Sequence, residues 1–539
     1  MQTDTRAGST GARRVLALGA LATLLACTLY VVKLDDAPAY ISNDEAHVAS
    51  NAQSLSVTGR DLHGEFLPIF VLMIDPLVPD NVETARWQPF LFYLTAISLK
   101  TLPFTQWTVR LPIALMAILD VWLVYAIARL LFSQRGLAVI AAFLMATTPA
   151  HFIMGRQALD SFCPLTFALG WVWCLLAFFK TGRVRFLSAA GFVLGAGLFT
   201  YVAAWVFMPM YLALTLIALR VRGAAMRSTT LAVCGGFAAP FLVVVPWVWS
   251  KPDALWQTVA RYDLFKFQTS LFEKPAGSGG FDLAERVALY WDFFNPSFLF
   301  FAGGADPTQT TTRAGMFLLP VAAFLALGIY RLWTLRWSTP SLILLAGFFL
   351  APLPVVLIKP TAPNYSTARV MMLLPFGALI AAYGVEWWRQ QARPAVRAIG
   401  MALVLMVPIQ FVGLVRLYFT DYQMWSAPRR DPLNTRDVAN FVMAHDDGAP
   451  LVYFRDDLDS KAVRWRFYLW KHDRRDLWVR TRYLGQNANA DEVAPGSFAV
   501  FYATDPSVRA LIESGAYSLA TTITHESGEP AAIVLRRSR

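Results

Sequence analysis

Between residues 15 and 417 the chain is built from long apolar runs separated by short segments rich in arginine and lysine. A helix of about 20 apolar residues crosses a ~30 Å hydrocarbon core. In that medium a spanning segment must satisfy its own backbone, so runs of this length restrict the fold to a helical bundle. Composition agrees: 56% of residues are hydrophobic and 15% charged, with mean hydropathy +0.46. A globular chain carries about a quarter charged residues. The expectation is an α-helical polytopic membrane protein. Its formal charge of +11 does not point to nucleic acid, because much of the Lys and Arg lies between apolar runs, where it marks topology. Cys27, Cys163, Cys174 and Cys234 lie in or beside apolar segments without metal-ligand spacing, so neither a disulfide framework nor a thiolate metal site is expected.

The basic clusters set the register of crossings. Arg6, Arg13 and Arg14 precede the first run, Val15 to Val32, and put the N-terminus in the cytoplasm. The run exceeds a signal-peptide core, so the Ala37-Pro38-Ala39 triplet is read as following an uncleaved anchor. Residues 34–109 then lie outside. The clusters at Arg129 and Arg135, at Lys180, Arg183 and Arg185, at Arg220, Arg222 and Arg227, at Arg331 and Arg336, and at Arg389, Arg393 and Arg397 are each assigned inside. For the run from Arg110 to Phe132 to end inside, the short piece Pro89 to Leu102 cannot cross; it reads as an interfacial helix.

The remaining spans fall at about 137–154, 163–179, 186–203, 205–219, 229–249, 316–330, 339–357, 370–388 and 398–417, or about eleven crossings in all. An odd number leaves the C-terminal part outside. Two further outer segments are 250–315, with the run Gly277-Ser278-Gly279-Gly280, and Lys359 to Arg369. Beyond Leu417 the composition turns soluble. Helices at Thr435 to His445 and Pro506 to Ser514, with strands at Pro450 to Phe454 and Phe498 to Tyr502, predict a small extracytoplasmic α/β domain over 421–539, after a membrane domain over 1–420.

The polar residues that matter for chemistry cluster at outer turns. Asp44 and Glu45 stand where the chain leaves the first span, and Arg110 opens the second. The next outer turn, Gly155 to Asp160, holds Arg156 and Asp160 four apart, a spacing that places both on one face if the turn is helical. Were the bundle to bring these turns together, Asp44 and Asp160 would share a cavity with Arg110 at its mouth. Ionisable groups at membrane depth are costly and usually functional; the alternative is a set of solvated charges marking span ends. The string Asp44-Glu45-Ala46-His47 spells a helicase box, but no GxxxxGK[ST] loop exists to hold a nucleotide, and that reading is rejected. His47 and His63 read as hydrogen-bonded histidines or as ligands.

The Asp-Glu pair after the first span, the loop Gly59 to Phe70, the segments Gln88 to Leu94 and Val109 to Leu115, and the Arg-x-x-x-Asp turn resemble the GT-C glycosyltransferases of family 39. That group includes protein O-mannosyltransferases and the aminoarabinose transferase. The resemblance covers roughly residues 15–420. It implies a sugar moved from a polyprenyl-phosphate carrier to a protein, lipid or glycan acceptor on the outer face of a bacterial inner membrane. It implies Asp44 as catalytic carboxylate and Asp160 as second acid, with Glu45, Arg110 and Arg156 beside the substrate. Asn295 to Phe300, continuing to Arg313-Ala314-Gly315, is similar to a donor-phosphate loop, and Asn364 to Arg369 to the next outer arginine loop.

Relatives often carry Lys-Pro in the interfacial loop, whereas this chain has Gln88-Pro89, so Arg86 is the substitute cation. Arg86, Arg313 and Arg369 are the candidates to meet the lipid phosphate, since a guanidinium fork matches phosphate oxygens. Resident cofactors are not expected, and a divalent ion, Mg or Mn, between the carboxylates stays open. Two other readings compete: a lipid-glycan transporter, against which the outer clustering of charges counts, and an O-antigen ligase or polymerase.

Overall fold

The computed structural model describes residues 4–72, 86–252, 283–336, 338–357, 366–448, 451–455, 458–484 and 492–538. The Gly277–Gly280 run, Lys359 and Asn364 lie outside the described residues. The chain divides into two compact units. One comprises Met1–Val32, Arg86–Leu91 and Ile113–Arg416; the other comprises Lys33–Ala85, Phe92–Pro112 and Leu417–Arg539.

The first unit is helical, and helical segments occur at each of the eleven expected positions. The first helix, α1, is Asp4–Thr28, and α2 (Asn43–Thr58) belongs to the other unit. The helix expected at the interface is α3, Phe90–Leu99, which from Phe92 onward belongs to the second unit; its ten residues reach about 15 Å, half a bilayer core. Then come α4 (Gln106–Leu131), α5 (Arg135–Ala146), α6 (Pro149–Met154), α7 (Pro164–Thr181), α8 (Arg185–Gly197), α9 (Ala204–Val221), α10 (Arg227–Ala238) and α11 (Phe241–Ser250). After α12 (Leu283–Asp292) follow α13 (Val321–Thr334), α14 (Thr339–Leu350), α15 (Leu353–Leu357), α16 (Leu373–Arg389) and α17 (Pro394–Phe419).

Among the described residues five helical segments are long and apolar enough to cross a membrane: 106–131, 160–181, 204–221, 339–357 and 394–419. The pair α10 and α11, bent by 44°, would make a sixth. Several expected spans are shorter than the apolar runs that suggested them. The run 137–154 is split at Thr147 and Thr148 before Pro149, where a proline ring cannot continue the helix. The first run ends as helix at Thr28, and residues 29–36 form turns.

Two features show how this unit is held together. Helices α13 and α16 approach so closely that a Cβ on Gly328 would lie 1.9 Å from the Ile380 carbonyl oxygen, and one on Gly384 1.9 Å from that of Phe324. Small residues let backbones meet where lipid supplies no hydrophobic drive between helices. Conversely α17 turns Ile399, Leu405, Ile409 and Val412 outward, each more than half exposed. An apolar stripe of that length is suited to lipid rather than water.

The second unit contains residues 33–85 and 92–112 as well as the C-terminal segment from Leu417. Its α/β part has α18 (Asp421–Arg430), α19 (Thr435–Ala444), α20 (Leu458–Lys471), α21 (Arg475–Arg480) and α22 (Ser507–Glu513). Its strands are β1 (Val452–Arg455), β2 (Thr481–Leu484), β3 (Phe498–Tyr502), β4 (Tyr517–Thr524) and β5 (Pro530–Arg537). They form one mixed sheet in the order β2-β1-β3-β5-β4. Strand β1 pairs in parallel with β2 (Val452 opposite Thr481) and with β3 (Val452 opposite Phe498), whereas β5 runs antiparallel to β3 and β4. Ala499, Phe501 and Leu535 join Tyr453 and Val508 in its core.

Candidate active site

In the second unit the site is assembled around Arg110. Its guanidinium is fully buried and every N–H has an acceptor. Nε donates to Glu45 Oε1 at 2.7 Å, Nη1 to the carbonyls of Leu34 and Pro38 at 2.8 Å, and Nη2 to the Tyr40 carbonyl at 2.6 Å and Glu45 Oε2 at 3.1 Å. Arg110, expected beside the substrate, thus turns its five N–H groups to protein acceptors and gathers the loop 34–45 around itself. At the loop's start, Asp35 Oδ1 accepts from the Trp107 amide at 2.9 Å, satisfying one of the unpaired donors at the head of α4.

Glu45 has a matching double duty. Ser42 caps α2: its hydroxyl accepts from the Glu45 amide, and Glu45 Oε2 accepts from the Ser42 amide at 3.0 Å, a reciprocal capping box. Burial pushes the Glu45 carboxyl up, but the Arg110 charge and hydrogen bonds, the Arg430 charge and the Ser42 amide together outweigh it and bring it down to about 2. A folded-state value below the unfolded one means stabilisation that is complete above about pH 5 and lost as pH falls toward 2. Acid titration followed by intrinsic tryptophan fluorescence should therefore show an unfolding step between about pH 4 and 2 that shrinks in Glu45→Gln. An identical acid limb in that variant would refute the linkage.

Asp44, one residue earlier, points the other way. It is exposed in the first turn of the helix that Glu45 anchors. His47 is buried on the next turn. The Gly59 to Phe66 stretch proves to be a turn organised by Asp61, whose Oδ1 accepts from the amides of His63 and Glu65 at 2.9 Å each. Arg60 closes it onto the Gly64 carbonyl at 2.7 Å.

In the first unit the turn carrying Arg156 and Asp160 is not helical, which corrects the expected shared helix face. Helix α6 stops at Met154, and Asp160 begins a separate 3-10 turn, Asp160–Phe162. Gly155 forces the break to be compact: a Cβ there would meet the His151 carbonyl at 2.7 Å and Ala117 Cβ at 2.8 Å. Arg156 is buried; it donates to the carbonyl of Leu29, and at 2.7 Å to that of Val32, just past the end of α1, with Phe152 beneath its guanidinium at 5.5 Å. Cations at helix C-termini meet carbonyls that have no intrahelical partner.

Three loops of this unit are sewn together by two glutamines that the sequence did not single out. Gln157 donates to the Thr308 carbonyl at 3.0 Å. Gln309 Oε1 accepts from the Ser366 hydroxyl and the Ala368 amide, both at 2.9 Å. The Asp160 turn also packs on the 3-10 turn Thr367–Val370. Half-buried Asp160, exposed Arg313 and half-buried Arg369 thus sit on three mutually linked segments. Arg86 lies elsewhere in the unit, its guanidinium 5.7 Å from the Trp247 ring centroid, with the Lys251 ammonium 5.9 Å from the same ring. Gln88, where a lysine was expected by resemblance, is buried.

Behind the Asp160 turn lies a polar chain within the bundle. Tyr30 Oη meets His151 Nδ1 at 2.7 Å, His151 Nε2 faces Asp120 Oδ2 at 3.5 Å, and Asp120 Oδ1 accepts from Thr166 at 2.6 Å. Asp120 is the single acid in the long run of α4, which is the signal that could have found this network. His151 also rests 5.3 Å from the Phe162 ring, so the chain braces the turn from behind. No group of three or more His, Cys, Asp or Glu side chains among the described residues is placed to hold a metal ion, so the chemistry below takes no step through one.

Comparison with known proteins follows the same lines. Residues 86–249 match the family model of dolichyl-phosphate-mannose-protein mannosyltransferases. The fold matches the crystal structure of ArnT from Cupriavidus metallidurans bound to undecaprenyl phosphate, with TM-score 0.57 and 15% identity over 95% of this chain and 97% of that one. Its apo form matches with TM-score 0.55 and 14% identity over the same shares, 95% and 97%. The oligosaccharyltransferase of Archaeoglobus fulgidus in the apo form matches with TM-score 0.51 and 15% identity, over 91% of this chain and 69% of that one. A search of curated proteins by sequence gives no match. Over nearly its whole length the chain thus shares the fold of ArnT, and within it residues 86–249 are similar to the dolichyl-phosphate-mannose-protein mannosyltransferase family.

Proposed function

We propose that this protein transfers a sugar from a polyprenyl-phosphate carrier to an acceptor at the outer face of a bacterial inner membrane, with Asp44 as general base. The N-terminus is cytoplasmic and the α/β domain extracytoplasmic in this reading. The observation that carries it is the contrast between neighbours: Glu45 is sealed in the Arg110 pair, while Asp44 is held exposed on the helix turn that pair fixes. One acid builds the loop and the next is presented by it.

The chemistry then runs in one displacement. The Asp44 carboxylate takes the proton of the acceptor nucleophile, which attacks the anomeric carbon opposite the phosphate. The bond from that carbon to the phosphate oxygen breaks, the electron pair leaves with the polyprenyl phosphate, and the configuration inverts. Arg313 and Arg369, on loops joined through Gln309, stabilise the leaving phosphate, with Arg86 as the third candidate cation. Asp160 orients substrate beside them. Buried Arg110 and Arg156 act through the backbone carbonyls they hold.

The test is a membrane assay with a panel of radiolabelled polyprenyl-phosphate sugars. Label leaving the lipid-linked pool for an acceptor supports the proposal; label that crosses the bilayer and stays lipid-linked would establish the transporter instead. With the sugar that transfers, Arg313→Ala and Arg369→Ala should each lower kcat/KM for donor by ~10²–10³, the usual cost of one positioned electrostatic donor. Wild-type donor kinetics in both would reduce these arginines to anchors.

A further inference from the structure

The loop that presents Asp44 is held from its other side by residues far away in sequence. The Ala39 amide donates to Gln423 Oε1 at 2.6 Å, and the Ile41 amide to the Tyr468 hydroxyl at 3.3 Å. Between them Tyr40 is buried and adopts φ +56°, the left-handed region that a tyrosine rarely occupies. Its ring is capped by the Arg436 guanidinium at 4.7 Å and approached by His525 at 6.3 Å. Arg436 is itself oriented by Asp437 at 3.0 Å and Glu526 at 3.8 Å. Helix α2 packs along α20, the helix that carries Tyr468. Backbone held in a sparsely populated conformation persists where surrounding contacts over-determine it, and such places concentrate at functional sites.

We propose that the C-terminal α/β domain positions the catalytic loop, through Gln423, Tyr468 and Arg436 acting on residues 39–41, and so sets turnover rather than donor binding. This rests on the reading of Asp44 as base. Two amide contacts and one ring clamp, placed on three consecutive residues just before the Ser42 cap, define the angle at which α2 starts and hence where Asp44 stands. The three groups are positioning residues: they touch the loop, and the loop carries the reacting carboxylate. A sub-ångström to ångström displacement of a reacting group is enough to slow an enzyme by ~10²-fold without changing affinity for the substrate.

The experiment uses the full chain in lipid nanodiscs, with three readouts: hydrogen exchange at the Ala39 and Ile41 amides, affinity for undecaprenyl phosphate, and turnover of the radiolabelled donor that transfers in the panel. Gln423→Leu and Tyr468→Phe should each raise exchange at the amide they accept from by roughly tenfold. Turnover should fall roughly 10- to 100-fold with undecaprenyl phosphate affinity unchanged within about twofold. Tyr40→Gly keeps the left-handed backbone accessible while removing the ring, and should show the same split; Arg436→Lys, which retains a cation for the ring, should lie closer to wild type than Arg436→Ala.

The Tyr40 and Arg436 variants also decide the matter if Gln423→Leu fails to fold. Faster exchange with wild-type turnover overturns the proposal, as does unchanged exchange, and so does a parallel loss of undecaprenyl phosphate affinity. Asp44→Asn is run beside them: normal turnover there, with slow loop variants, removes the base assignment and leaves the positioning intact, whereas an inactive Asp44→Asn with fully active loop variants removes only the positioning.

Discussion

Asp44→Asn is expected to lower sugar transfer by at least ~10²–10⁴, the range of a lost general base, with no measurable loss of thermal stability. The reasons are local. The side chain is exposed in the first turn of α2, so exchanging a carboxylate for an amide of the same shape leaves the capping box and the Arg110 pair in place. What it removes is the group that can accept a proton. Single-turnover transfer from the labelled donor gives the rate, and a thermal melt in detergent gives the stability; a rate within a fewfold of wild type would dismiss Asp44 as base.

Arg110→Ala should behave in the opposite way, costing about 3–5 kcal/mol of stability because it strands a buried carboxylate. It also unpairs the carbonyls of Leu34, Pro38 and Tyr40. We expect a protein that is poorly recovered from membranes and, where recovered, loses protection of residues 33–45 from protease. Removing both charges in Arg110→Met with Glu45→Gln should recover part of that loss, since it no longer leaves one buried charge alone. A double variant no more stable than Arg110→Ala would show that the carbonyl contacts, not the ion pair, dominate. The two predictions together separate adjacent acids that look equivalent on paper.

That separation marks what could be read early and what could not. The pair Asp44-Glu45 stood out in the sequence as two adjacent acids beyond the first apolar run, and Arg110 because it opens the next one. Their division of labour was not. Whether a carboxylate faces inward depends on a capping box and on a partner 65 residues away. Likewise the Arg156–Asp160 spacing suggested one helix face, and the helix ended before it because Gly155 packs against α4. Gln157, Gln309, Gln423 and Tyr468 carry no signal in a single sequence: an amide or a phenol becomes structural only when another segment presents the right backbone group.

The sequence by itself determined the membrane class, the places of the helical segments, the short helix at residues 90–99 and the α/β character beyond Leu417, because hydrophobic length and periodicity are local properties. Tertiary structure alone decided that the segment following the first helix packs in one compact unit with the C-terminal residues, and that three separate loops of the helical unit are joined through glutamine side chains. Those outcomes depend on hydrogen bonds between residues up to several hundred positions apart, and the free energy of such a bond is set by the geometry of the folded chain rather than by any stretch of it.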